Sequence, residues 1–237
     1  EALFMKNWSR QMENGKCLWE DDVEDAMQVC DKLDISLNIV DLSEDYWEKV
    51  FKNFLTEYKS GRTPNPDVLC NKEIKFKAFL EYAENLGAKK IATGHYSRKN
   101  KKENYFQLLK SIDNNKDQSY FLCCLNQSQL DKALFPIGDL CKDKVRKLAK
   151  KAGLITHDKK DSTGICFIGE QPFRNFLSSF IKPVKGLIKT TNGESIGEYE
   201  GIFFYTLGQR QGLGIGGVKN TTNSPWYVVK KNIEKNE

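Results

Sequence analysis

The chain has 237 residues, 39% hydrophobic and 29% charged, enough to bury a core as one large domain or two smaller ones. No apolar run approaches the ~18 residues of a membrane-crossing helix, and no secretory leader pattern is visible. The net charge of +5 permits a nucleic-acid partner without requiring one. Seven cysteines, no C-x-x-C and only His95 and His157 argue against a disulfide scaffold and a clustered zinc site, and for a reducing compartment. The first residue is Glu1, followed at once by the apolar Ala2-Leu3-Phe4-Met5, as expected of a chain cut at its front.

Taken in order, Val23, Ala26, Met27, Cys30 and Leu33 fall on one face of a helix over 21–33. Leu37 to Val40 reads as a short buried strand, and Tyr46, Trp47, Val50, Phe51, Phe54, Leu55 and Tyr58 as a second apolar helical stripe. The two prolines of Gly61-Arg62-Thr63-Pro64-Asn65-Pro66-Asp67 rule out regular structure there. A third helix is expected over 71–86, with Gly87 at its C-cap, then a strand over 90–93. This alternation implies an α/β fold with a parallel sheet. Further on come a strand over 105–109, a helix over 142–152 with Val145, Leu148, Ala149 and Ala152 on one face, and a helix over 172–181. Beyond Pro183, Asn192-Gly193 marks a hairpin and glycines become dense. The expected division is a catalytic domain over 1–168 and a small β-rich domain over 169–237.

Gly212, Gly214 and Gly217 match G-x-G-x-x-G, but no helix pattern opens after them, so they read as a turn or loop. Cys70 follows the proline turn at the start of the expected third helix, where the helix N-terminus, Lys72 and Lys75 would favour a thiolate. A buried structural cysteine fits the same facts. Asp67, three residues upstream, suits either an acid/base role or a helix cap. Cys166 lies between Gly164 and Gly169, in a pattern that equally fits a small hydrophobe in a strand. Lys116-Asp117-Gln118 offers groups for phosphate or sugar, or is a solvated loop. His95 follows Gly94 at the C-terminal end of a strand, where open α/β sheets place ligands, and a structural histidine fits there too.

Together these segments resemble the tRNA-specific 2-thiouridylases. Leu3-Phe4-Met5-Lys6-Asn7-Trp8, Gly61 to Asp67, Cys70-Asn71-Lys72-Glu73-Ile74-Lys75-Phe76, Ala92-Thr93-Gly94-His95-Tyr96, Lys116-Asp117-Gln118, Gly164 to Gly169, Tyr205-Thr206-Leu207-Gly208-Gln209-Arg210 and Pro225-Trp226-Tyr227-Val228-Val229 occur in that family's order, over nearly the whole chain. The resemblance implies an ATP-pyrophosphatase domain of the adenine nucleotide alpha hydrolase-like type. It would use ATP with Mg to adenylate the C2 oxygen of the anticodon wobble uridine. A cysteine desulfurase relay would supply sulfur as a persulfide on Cys166, and Cys70, the nucleophile, would release it by thiol–disulfide exchange, leaving a Cys70–Cys166 disulfide. The resemblance also implies that Asn65, Pro66 and Asp67 face the target uridine, with Asp67 as acid/base. Lys116, Asp117 and Gln118 would contact tRNA, and Met5 and Gly94 would line the nucleotide site. Partners would be tRNA and a sulfur-relay protein, with no membrane, in the cytoplasm or, alternatively, a mitochondrion.

The family's S-G-G-x-D-S phosphate loop and C-terminal β-barrel lie outside the 237 residues, so this chain alone is expected to be inactive. Two other readings fit less of the pattern. An adenylating enzyme of the same fold that uses ammonia would not need the cysteine pair. A non-catalytic RNA-binding module would lack the phosphate loop altogether.

Overall fold

The structure is a computed structural model that describes residues 1–9, 19–161, 172–215 and 225–237. In chain order it contains β1 (Ala2–Lys6), α1 (Glu20–Leu33), β2 (Leu37–Asp41), α2 (Ser43–Tyr46), α3 (Lys52–Lys59), α4 (Pro66–Cys70), α5 (Phe79–Asn85), β3 (Ile91–Ala92), β4 (Ser97–Lys102), β5 (Tyr105–Lys110), α6 (Gln127–Lys132), β6 (Ala133–Leu134), α7 (Lys142–Lys151), α8 (Phe173–Ser178), β7 (Gly186–Lys189) and β8 (Ser195–Tyr199). Wider π-helical turns over Trp47–Phe51 and Asn71–Ala78 precede α3 and α5. Packing divides the chain into two compact units, Glu1–Phe51 with Pro66–Gly169, and Lys52–Asn65 with Glu170–Glu237.

In the first unit the strands form parallel pairs, β1 with β2 from Ala2↔Leu37 to Lys6↔Asp41, and β3 with β6. The β1–β2 ladder ends in an ion pair from Lys6 to Asp41 at 2.7 Å. Only Val40 of β2 is buried, so the expected buried strand is instead a largely exposed one, paired along one edge. Helix α1 has Glu20, Asp21 and Asp22 in its first turn and Lys32 in its last, the charge order that the helix dipole favours. It buries Val23 and Cys30, whereas Met27 and Leu33 are exposed.

The helix expected from residue 71 begins at Pro66. Proline suits a first turn, because the N–H groups there lack intrahelical partners anyway. Cys70 is therefore a full turn inside, and Asp67 is the residue in the first turn, where a carboxylate meets the positive end of the dipole. Further along, Phe76 leaves helical geometry (φ −101°, ψ 17°). The buried Gln129 side chain satisfies carbonyls there, its Nε2 donating to Lys72 O and Phe76 O at 2.9 Å each. Its Oε1 accepts from the backbone N–H of Asn126, whose own side chain accepts from Gln129 N–H, a capping box that starts α6. Around this lies a core of Phe76, Leu80, Ala83, Ile91, Leu122 and Ala133.

Strand β4, Ser-Arg-Lys-Asn-Lys-Lys, pairs antiparallel with β5 and has no apolar alternation to signal it. Helix α7 buries none of its residues fully: on its apolar face Val145 and Ala149 are half-buried and Leu148 is 49% exposed.

The second unit takes in Lys52–Asn65 because that segment packs on it. Tyr58 stacks on Phe173 at 5.8 Å, Thr63 and Thr206 hydroxyls meet at 2.9 Å, and Gly61 (φ +74°) lies where a Cβ would come within 2.3 Å of Ile233. β7 and β8 form the hairpin signalled by Asn192-Gly193, with Gly193 at φ +88°. Tyr199, Tyr205 and Leu213 form its core, with Trp226 and Val228 against them. Gly212 and Gly214 adopt positive φ, as a turn requires, and Gly217 lies outside the described residues.

Replacing Gln129 by Ala should destabilise the first unit by about 2–3 kcal/mol, since it strips a buried carbonyl at Phe76 and a part-buried one at Lys72 of their donor. Gln127→Ala, whose side chain bonds Phe106 at the surface, should cost under about 1 kcal/mol. Urea unfolding of the two variants checks the contrast.

Candidate functional site

A cleft of about 420 Å³ opens where β1 and β3 end, lined by Leu3, Met5, Lys75, Phe79, Ala92, Thr93, Gly94, His95 and Gln118. Its position follows the rule that ligands bind at the C-terminal ends of parallel strands. Of the residues singled out in the sequence, it gathers Met5, Lys75, Gly94, His95 and Gln118. Leu3, Phe79, Ala92 and Thr93 join them. Lys75 and Phe79 are four residues apart and so share a helix face, while Ile74, Phe76 and Leu80 turn into the core.

The cleft's chemistry is apolar walls with a polar rim. Leu3, Met5 and Phe79 present hydrocarbon, Lys75 the one cation among its lining residues, and a Cβ at Gly94 would meet nothing within 4 Å, so backbone there is open to a ligand. A flat heteroaromatic ring with an attached anion matches that lining. His95 Nδ1 and Thr93 Oγ1 are 2.8 Å apart, and the imidazole packs among Phe76 and Phe135. Burial, reinforced by the Lys75 charge, pushes its pKa down to about 3, so the ring is neutral at physiological pH.

Gln118 is held by Tyr96: its N–H donates to Tyr96 O at 2.8 Å and its Oε1 accepts from Tyr96 N–H at 2.9 Å. Asp117 is occupied within its own loop, accepting from Ser111 N–H and Ser119 Oγ, both at 2.8 Å. Burial opposes its ionisation, but these bonds outweigh burial and lower its pKa. Lys116 pairs with Asp161 at 2.7 Å. Pro66 and Cys70 are buried, and Asn65 and Asp67 half-buried. Cys166 lies outside the described residues, so its separation from Cys70 is not described.

The larger cleft of the second unit, about 610 Å³, is lined by Tyr199, Tyr205, Trp226, Lys189 and Lys231 among others and holds none of the predicted site residues. Among the described residues no group of three or more His, Cys, Asp or Glu side chains could hold a metal ion.

Parallel strands with a cleft at their carboxyl ends, followed by a small β unit, define a HUP-type, adenine nucleotide alpha hydrolase-like domain joined to a PRC-barrel-like domain. The chain belongs to the family whose models are described as the tRNA methyl transferase HUP domain, matched over residues 1–170, and the tRNA methyl transferase PRC-barrel domain, matched over 174–237. It is similar along its whole length to the tRNA-specific 2-thiouridylase MnmA of Psychromonas ingrahamii, at 54% identity over 65% of that protein. The corresponding protein of Shewanella sediminis is 55% identical over 64% of its length, and that of Hydrogenovibrio crunogenus 56% over 63%. The chain thus spans somewhat under two thirds of these relatives.

The neutral His95 has a stability signature. Below its ordinary pKa of 6.5 the unfolded chain binds a proton that the folded chain refuses until about pH 3. Its contribution is therefore fully present above about pH 6.5 and lost as pH falls toward 3. His95→Gln should flatten that acid limb, by up to a few kcal/mol, when urea midpoints are compared between pH 7 and 4.

Proposed function

We propose that this chain supplies the catalytic body of an enzyme that 2-thiolates the wobble uridine of tRNA at the expense of ATP. The observation that carries the reading is the strand-end cleft gathering Met5, Gly94 and Gln118, in a chain whose relatives are named 2-thiouridylases over its full length. The family models' description mentions methyl transfer instead. Sulfur chemistry is the reading that the relatives' names support, and it gives Cys166 and Cys70 complementary work, one to carry a persulfide and one to release its outer sulfur.

In this reading adenosine would lie against Met5 and Gly94, with Mg accompanying the ATP phosphates. Asn65, Pro66 and Asp67 would face the uridine, and Asp67 would move protons as acid/base. Lys116 and Gln118 would contact tRNA, while Asp117 would act by shaping their loop. Uridine oxygen is a poor leaving group, and transfer of AMP to it, with pyrophosphate released, makes it a good one. The sulfur chemistry belongs to the chain itself. The Cys70 thiolate attacks the inner sulfur of the Cys166 persulfide, the S–S bond to the outer sulfur breaks, and hydrosulfide leaves. Hydrosulfide adds to C2, and AMP departs with the original oxygen. The Cys70–Cys166 disulfide then requires a cellular thiol reductant, and a persulfide donor reloads Cys166. Residues 1–168 and 169–237 would be the working domains. Such thiol chemistry suits the reducing cytoplasm, and no described helix is long and apolar enough to cross a membrane.

In the complete protein, Cys166→Ser should abolish thiolation because no persulfide forms. Cys70→Ser should also abolish it while leaving Cys166 able to take sulfur from a desulfurase. Cys30→Ser, on the buried side of α1, should cost stability only. Thiouridine in the tRNA and labelled persulfide on the protein are the two readouts. Normal thiolation by Cys166→Ser, or loss confined to Cys30→Ser, overturns the assignment.

A further inference from the structure

Outside the cleft, three cations converge on one carboxylate. Asp161 lies 2.7 Å from Lys116 Nζ, 2.8 Å from Lys142 Nζ and 3.6 Å from an Arg146 guanidinium nitrogen. Three positive charges meet Asp161, and the Asp113 carboxylate lies nearby at the Lys142 backbone N–H (2.9 Å), so the cluster keeps a positive excess. The cations are neither buried nor loose, with side chains 28–40% exposed, so an incoming anion can reach them. Lys142 Nζ also stands 5.6 Å above the Tyr96 ring. The Tyr96 hydroxyl is buried and has no hydrogen-bond partner among the described residues. Burial, then the carboxylates of Asp161 and Asp113, raise its pKa, so it remains a proton donor at the edge of this cluster.

The cluster continues along α7. This helix carries Lys142, Lys144, Arg146, Lys147, Lys150 and Lys151 against the single acid Asp143, and none of its residues is buried. Lys142, Arg146 and Lys150 recur every four residues and form one row along the axis. No ion pair is found for Lys144, Lys147, Lys150 or Lys151 among the described residues. A row that merely kept the helix solvated would have no need for three of its neighbours' charges to converge on one small anion. Mixed Lys and Arg donors focused on one point are the arrangement that binds a phosphate.

We propose that Lys116, Lys142 and Arg146, extended by the basic row of α7, bind the phosphodiester backbone of the RNA substrate, and that the Asp161 carboxylate is the internal anion a phosphate displaces. The proposal rests on the reading of the protein as a tRNA-modifying enzyme in which Lys116 contacts tRNA, and adds to it Lys142, Arg146, the basic row of α7 and the displaceable Asp161 carboxylate. An acidic protein would also be drawn to α7, but Lys116 lies two residues from Gln118, which lines the cleft proposed for the nucleotide, so the cluster adjoins the proposed active region of an RNA-modifying enzyme.

The test measures binding of an unmodified tRNA transcript to the complete protein across a salt series. The double variant Lys142→Gln/Arg146→Gln should bind roughly tenfold or more weakly, with the slope of log affinity against log salt reduced by about one to two. Asp161→Asn should do the opposite and tighten binding severalfold, because the competing anion is gone. A purely structural Asp161 would give weaker or unchanged binding. Lys150→Gln, which removes no described contact, covers the case in which the others unfold, and should lower the slope by about 0.7–0.9. Unchanged affinity and slope in the double variant and in Lys150→Gln, or weaker or unchanged binding by a folded Asp161→Asn, overturns the site but leaves the functional reading intact. Loss of binding only to an acidic peptide also overturns it. Wild-type protein that neither binds nor thiolates tRNA overturns both.

Discussion

The helical segment that carries Asp67, Cys70 and Lys75 does not run as a regular α-helix, and the carbonyls of its widened turn have to find donors inside the protein. Gln129 supplies them. A buried amide with both ends engaged is worth most when no polar atom is left over, and here Nε2 serves Lys72 and Phe76 while Oε1 closes the cap of α6. Asn71 adds a bond from Nδ2 to Phe121 O at 3.0 Å. These contacts set the rotation of the helix. With that rotation, Phe76 and Leu80 enter the core while Lys75 and Phe79 line the cleft. A half-turn slip would bury the lysine and empty the wall on which a nucleotide ring would lie.

Electrostatics divides the first unit into two environments. The cleft holds a neutral imidazole and one cation among apolar walls, whereas the Asp161 cluster concentrates charge at the surface. Asp161 itself is held well below the ordinary carboxylate range, first by the Lys116 bond and then by Lys142. Tyr96 joins the two environments. Its backbone fixes Gln118 at the cleft, and its ring lies under Lys142. One residue thus contacts a group on each side.

The family models and the relatives' names differ in the chemistry they mention, methyl transfer in one and thiolation in the other. The cleft alone does not choose between them, since either reaction could place an adenine against Met5 and Phe79. The proposed thiolation rests instead on the relatives' names and on the cysteines, which are legible in the chain's order of motifs. The geometry contributes a refinement: Cys70 stands one turn inside its helix, so the dipole acts on Asp67 more directly than on the thiol.

Much of the fold was legible in the residues. The apolar spacing over 46–58, the glycine after the helix ending near residue 86 and Asn192-Gly193 all gave the elements observed, because local periodicity and backbone freedom act over a few neighbours. Strand β4 was not legible, since its polar residues are strands only by virtue of pairing with β5. Nor was the exposure of α7, whose apolar residues follow a helical spacing yet are at most half-buried. Pro66 concealed a helix start by looking like an interruption. In the site, the sequence determined the chemistry: which thiols, carboxylates and cations exist, and in what order. The tertiary structure alone decided that Lys75 and Met5 share a cleft, and that Lys116, Lys142 and Arg146 meet on Asp161, 45 residues along the chain from the first of them. Such convergence depends on how strands and helices pack, and packing is a property of distance in space that spacing along the chain does not contain.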